Sequence, residues 1–290
     1  MASESHIRNP LEWGWEQVKR SAVTVGSMGR SLRGSEESRH APLPAVSRIK
    51  AADLKDALAR GFGDFGAYRT DVIFLCLLYP VVGIVLARAT FGYDMLPLLF
   101  PLASGFALVA PLAAVGLYEM SRRREQGIHI GWADAFGVAG SPAFGAVLVL
   151  GLVLLVIFLL WLFAAYGIYL VTLGPEPPAS ATSFIRDVFT TSAGWALIVV
   201  GVGVGFLFAV LVLAISVVSF PMLLDRDVGL LTAVWTSIRA VAANPGPMAL
   251  WGLIVAGGLV IGSLPAFVGL AVVMPVLGHA TWHLYRKVVP

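Results

Sequence analysis

Two histidines, His279 and His283, stand four residues apart in the stretch GHATWHLYRKVV, at the end of an apolar run. On a helix that spacing sets both imidazoles on one face with Cβ atoms about 5–6 Å apart, close enough to share a metal ion. A zinc site takes three or four protein ligands, so further donors have to come from elsewhere. His129, Glu119 and Asp134 are the candidates, because the topology argued below puts them on the same side of the membrane. The competing reading sets the two imidazoles, with Trp282 and Tyr285, at headgroup level, hydrogen-bonded to lipid, water or neighbouring loops. No cofactor is expected on that reading, and the histidine pair is the one opening for a metal or a haem.

Little else in the chain resembles chemistry. The run GVGVG from Gly201 to Gly205 lies in the middle of an apolar segment, whereas a phosphate-binding glycine loop follows a strand and opens a helix at the aqueous surface. Gly201 and Gly205, like Gly258 and Gly262, have the spacing that lets membrane helices approach closely. The sequence holds no GxSxG, no HExxH and no glycine-rich loop ending in Gly-Lys-Ser/Thr, so no catalytic residue is assigned and an enzyme is not expected. Cys76 is the single cysteine, which excludes an intrachain disulfide or a thiolate cluster.

The elements that position the histidines follow from composition. Hydrophobic residues make up 58% of the 290 and charged residues 13%. Ordinary soluble domains carry about 45–50% and about 25%, so this is a membrane protein. Crossing the hydrocarbon layer as helix takes about 20 mostly apolar residues, and six segments qualify: 72–90, 95–119, 144–173, 193–223, 247–263 and 265–284. The fold class expected is therefore all-α, a polytopic six-helix transmembrane bundle over residues 48–290, preceded by a basic, partly disordered cytoplasmic region over 1–47. Pro80, Pro97, Pro101, Pro111, Pro221 and Pro275 fall within these spans and predict kinks that neighbouring helices accommodate.

Cations set the orientation, since loops kept in the cytoplasm carry the Lys and Arg excess. With six spans, 18 of the 20 cations fall on one side and only Arg88 and Arg186 on the other. Both termini are thus expected on the cytoplasmic side. The cations of residues 1–71 are interspersed with Glu and Asp, which favours anionic lipid headgroups over nucleic acid as their partner. Glu119, Asp71, Asp94 and Asp225 fall at helix ends, where water is expected to reach them. The long spans carry no charge at mid-depth, where each costs about 2.5–3.5 kcal/mol, so an ion-coupled pump loses support.

Amphipathic stretches precede three of the spans. Leu231, Val234, Trp235, Ile238, Val241 and Ala242 share one face, with Thr232, Thr236 and Arg239 opposite. Trp132, Ala135, Phe136 and Ala139 repeat the pattern, as do Leu54, Leu58, Gly61, Phe62 and Phe65. Each is read as an interfacial helix followed by a helical hairpin, which gives three repeated units. Leu11, Trp15, Val18, Ala22 and Val25 suggest a further amphipathic helix near the start.

The segments DVGLLTAVWTSIRAVAANPGPMALWGLIV, SFPMLLDRDV and PVLGHATWHLYRKVV resemble a family of bacterial integral membrane proteins known as domain of unknown function two-one-eight-nine. The resemblance implies a six-helix inner-membrane protein of unestablished activity. Members of that family have carried a cytochrome c oxidase subunit I label, which this sequence argues against: that subunit's haems and copper need more helix-borne histidines than the five histidines of the whole chain. The function expected is a non-enzymatic scaffold, accessory or assembly factor that binds lipid and either a larger membrane complex or further copies of itself. A channel or transporter for a neutral or lipidic substrate is the first alternative, and a haem- or metal-binding protein the second.

Overall fold

The computed structural model describes residues 43–67, 97–128, 138, 140–265 and 268–290. Among them are ten α-helices and no strand: α1 (Ala51–Ala67), α2 (Leu99–Ala113), α3 (Val115–Glu125), α4 (Phe144–Thr172), α5 (Ala181–Thr190), α6 (Ser192–Ser216), α7 (Ser219–Asp225), α8 (Leu230–Ala243), α9 (Pro245–Ser263) and α10 (Leu270–Val288). The expected span at 72–90 and the amphipathic stretches at 11–25 and 132–139, apart from Val138, lie outside the described residues.

Among the described residues, four helices are long and apolar enough to cross a membrane: Phe100–Glu125, Phe144–Thr172, Ser192–Asp225 and Pro245–Ser263. They coincide with the second to fifth of the expected segments. The first run joins α2 to α3 through Ala114, whose N–H still reaches the Ala110 carbonyl despite Pro111. The third joins α6 to α7, and at the join Ser216 and Ser219 turn their hydroxyls onto the Val212 and Ile215 carbonyls. Such back-bonding bends helices. At 1.5 Å per residue α4 is about 43 Å long, more than the hydrocarbon thickness of about 30 Å, so it tilts or protrudes.

The outer surface has the character of lipid-facing protein. Leu152, Val156, Leu159, Leu160 and Phe163 on α4, and Val199, Val202, Phe206 and Leu207 on α6, are exposed. In water such a continuous apolar surface drives association; hydrocarbon is the solvent that suits it. Inside, Trp161 joins three helices. Its indole N–H donates to the Pro101 carbonyl at 3.1 Å, and its ring packs on Phe208 and against Gly205. Of the two glycine pairs, Gly258 and Gly262 both let α10 approach α9, whereas Gly201 has open space beside it.

The sixth expected segment behaves differently. Helix α10 starts at Leu270, runs on to Val288, and buries fourteen of its nineteen residues against protein. It is not among the four helices that qualify as spans by length and hydropathy. Its main neighbours are α1, α3 and α9.

Of two amphipathic helices, α1 packs through the face the periodicity suggested except for Phe62, and α8 through a different one. In α1 the buried stripe is Leu54, Ala57, Gly61 and Asp64, while Phe62 is exposed. The helix is drawn onto α10 because Gly61 admits it: a Cβ there would stand 2.7 Å from the Ala280 nitrogen and the Val276 oxygen. In α8 the buried residues are Ala233, Thr236, Ser237 and Ala240, and Leu231 and Trp235 point outward. Small residues let α8 pack closely on α6 and α7, with the Thr236 hydroxyl satisfied by the Thr232 carbonyl. The proposed repeat is not visible as equivalent packing, since α1 lies on α10 whereas α8 lies on α6 and α7.

Candidate functional site

The polar side chains of the bundle converge at the end where α1, α3, α7 and α10 meet. Their placement begins with local sequence. Lys50 and Asp53 open α1 by a reciprocal cap, the Lys50 N–H donating to Asp53 Oδ2 at 2.8 Å and the Asp53 N–H to the Lys50 carbonyl. Seven residues beyond Ala57, on the same buried stripe, stands Asp64. The close crossing at Gly61 carries that carboxylate into contact with α10.

There Asp64 meets three side chains. His283 Nε2 donates to Oδ2 at 2.9 Å, and the Ser121 hydroxyl donates to the same oxygen at 2.6 Å. Arg124 Nη1 donates to Oδ1 at 2.8 Å and to the Gly63 carbonyl at 2.9 Å. Ser121 Oγ in turn lies 2.7 Å from His279 Nδ1. Burial pushes the Asp64 carboxyl up, but the hydrogen bonds from His283 and Ser121, with the positive charge near it, outweigh that and hold it below the usual carboxylate range.

This geometry fixes proton positions. With Asp64 ionised, the single hydroxyl proton of Ser121 is committed to the carboxylate, so Ser121 accepts at its oxygen and His279 carries its proton on Nδ1. His279 Nε2 is buried without a hydrogen-bond partner among the described residues. The arrangement is the reverse of a nucleophile's. An attacking serine needs its proton taken by the imidazole and its oxygen open to substrate, whereas Ser121 gives its proton to Asp64 and is buried.

Below this cluster a second set of contacts closes the same end. Trp282 Nε1 donates to Glu125 Oε2 at 3.2 Å, and Tyr285 donates to Asp225 Oδ2 at 2.7 Å. Arg286 reaches both Glu125 and Asp225 at 3.3 Å. Lys287 pairs with Asp56 at 3.0 Å and Asp53 at 3.4 Å, and the bond to Asp56 is the main reason its amine is held above the usual range. Burial, reinforced by Asp225, likewise raises the Tyr285 phenol.

The residues singled out from sequence are thus distributed unevenly. His279 and His283 come together around Asp64, each engaged through one ring nitrogen. Glu119 is elsewhere: it is buried, not water-exposed as its position near a helix end suggested, and its charge is met by Arg122 at 2.8 Å and Arg123 at 2.7 Å. His129 and Asp134 lie outside the described residues. No three His, Cys, Asp or Glu side chains among the described residues are arranged to hold a metal ion. Trp282 and Tyr285 are fully buried and bond to neighbouring helices, in place of the headgroup-level contacts with lipid expected of them. Asp64, Ser121 and Arg124 were not singled out; the available signal was the carboxylate of Asp64 on the stripe of Leu54, Ala57 and Gly61.

An all-helical bundle with four membrane-length helices, lipid-type outer surfaces and a polar cluster at one end is an integral membrane protein. Residues 99–225 match the model of a family described as Predicted integral membrane protein (DUF2189), the family resembled in the sequence. The match spans α2 to α7 and includes Ser121 and Arg124, while Asp64, His279 and His283 lie outside it. No curated protein and no solved structure matches the chain.

Proposed function

We propose that this chain is a six-span protein of a bacterial inner membrane, with both termini cytoplasmic, acting as a non-enzymatic scaffold or assembly factor. The observation that carries the reading is the closure of the polar end. Asp64, Ser121, Arg124, Glu125, Asp225 and the last two turns of α10 bond to one another across four helices. Charges satisfied internally make a fixed platform and leave few groups to work on a substrate. The segregation of 18 cations supports the orientation, and attraction of the basic N-terminal region to anionic lipid follows from it.

The test is affinity purification of the full chain from native membranes after mild crosslinking, with mass spectrometry of what is retained. A scaffold yields the same membrane partner in independent preparations, at near-stoichiometric amounts. Recovery of the chain alone, together with solute or lipid flux in proteoliposomes above that of protein-free vesicles, replaces the reading by a channel or transporter. A reporter fused after Pro290 is expected to be active only in its cytoplasmic form.

A further inference from the structure

The loop between α4 and α6 contains a helix with an unpartnered apolar edge. Ser180 and Ser183 form a capping box that starts α5, with the Ser183 N–H donating to Ser180 Oγ and the Ser180 N–H to Ser183 Oγ, both at 3.0 Å. Turning about 100° per residue, the helix gathers Phe184, Ile185, Val188 and Phe189 on one side and Arg186, Asp187 and Thr190 on the other. No residue of α5 is buried. Phe184 packs edge-on to Tyr169 of α4, but Ile185 and Phe189 are 58% and 60% exposed.

The helix is fastened to the start of α6. Thr191 caps α6 through the Gly194 N–H at 2.9 Å, and only glycine fits at 194, where a Cβ would run into the Asp187 and Val188 backbone. Trp195 Nε1 donates to the Phe189 carbonyl at 3.1 Å. Trp195 itself is 54% exposed and begins the stripe Trp195, Val199, Val202, Phe206 that runs down the lipid-type face of α6. The open edge of α5 therefore continues the surface that hydrocarbon covers, and it does so where α6 begins.

We infer that α5 lies flat on the bilayer at the end opposite the Asp64 cluster, with Ile185 and Phe189 inserted at the boundary of acyl chains and headgroups and Arg186 and Asp187 in water. A helix with separated apolar and charged faces takes this position because the interface suits both faces at once, and Trp195, with its N–H satisfied and its ring exposed, belongs at the same level. The inference rests on α6 crossing the membrane.

The test is site-directed spin labelling of the full chain in a Cys76→Ser background, reconstituted into phosphatidylethanolamine and phosphatidylglycerol vesicles. Labels are placed through Ile185→Cys, Arg186→Cys, Phe189→Cys and Thr190→Cys, with Val202→Cys as the reference inside the span. Collision with dissolved oxygen relative to nickel-EDDA is expected to be several-fold higher at 185 and 189 than at 186 and 190, approaching the ratio at 202. Equal, water-like ratios at all four α5 positions, with a lipid-like ratio at 202, overturn the inference while α6 remains a span. Protection of 185 and 189 from both reagents overturns it in favour of a protein partner on that edge, and a water-like ratio at 202 overturns the membrane reading of α6 as well.

Discussion

Asp64 and His283 are 219 residues apart in the chain and 2.9 Å apart in space. The contact clamps the amphipathic helix α1 onto α10, and it leaves Asp64 as the carboxylate on which Arg124, Ser121 and His283 all depend.

Replacing Asp64 should therefore be costly. Removing one member of a buried pair strands the others, at about 3–5 kcal/mol for a fully buried pair. Arg124 is 38% exposed and rehydrates in part, so Asp64→Ala is expected near the lower end, about 3 kcal/mol. Asp64→Asn, which keeps the shape and one acceptor, should cost less. Chemical denaturation of the detergent-solubilised protein measures both, and an unchanged midpoint in Asp64→Ala would contradict the clamp.

The same carboxylate predicts a pH dependence. Its folded-state pKa lies below that of the unfolded chain, so its stabilising contribution is complete above about pH 4, the unfolded aspartate value, and is lost as pH falls through the folded value. The stability difference between the native chain and Asp64→Asn should be flat from neutral pH down to about pH 4 and shrink below it. A difference that stays constant into strong acid would assign the stabilisation to packing.

Gly61 and Gly63 make a paired test on one helix. Gly61→Ala forces α1 off the backbone of α10 and should destabilise by about 1–3 kcal/mol, the range for overpacking. Gly63→Ala meets nothing within 4 Å and should be neutral or stabilising by up to about 1 kcal/mol, because alanine is the better helix former. Thermal unfolding of both variants decides it; equal losses would mean that the crossing at Gly61 is looser than described.

Asn244 predicts a local effect. Buried between α8 and α9, it accepts the Ile49 N–H at 2.8 Å and donates to the Ser47 and Ala240 carbonyls at 3.0 and 3.1 Å. Asn244→Ala leaves three backbone groups unmet, at about 1–3 kcal/mol for each buried group that stays dry. Hydrogen exchange at the Ile49 amide should accelerate by at least tenfold, with little change at amides in the middle of α4.

How much of this was readable beforehand depends on the interaction. The segments behind α2 with α3, α4, α6 with α7, and α9 announced themselves because backbone groups in hydrocarbon must be satisfied within the helix, which makes a long apolar run nearly sufficient for the assignment. The buried face of α8 did not, and in α1 Leu54 and Gly61 were legible while Asp64 was not. Periodicity ranks residues by apolarity, but Ala233 and Ala240 in α8 sit where helices approach closely, which is a property of two helices and invisible in one. His283 illustrates the same limit: its spacing from His279 suggested a shared ligand, and the partner it meets, Asp64, is a distant residue that no local pattern joins to it.

The sequence by itself determined the solvent of this protein, the approximate ends of four membrane-length helices and the segregation of cation-bearing segments, because these depend on summed hydrophobicity and charge along the chain. Only the tertiary structure decided that α10 is covered by protein, that Trp282 and Tyr285 bond to Glu125 and Asp225, and that Asp64 organises the polar end. Each of those depends on which helices cross and how closely. Distance between side chains remote in sequence, of the order of a hydrogen bond, is set by packing alone.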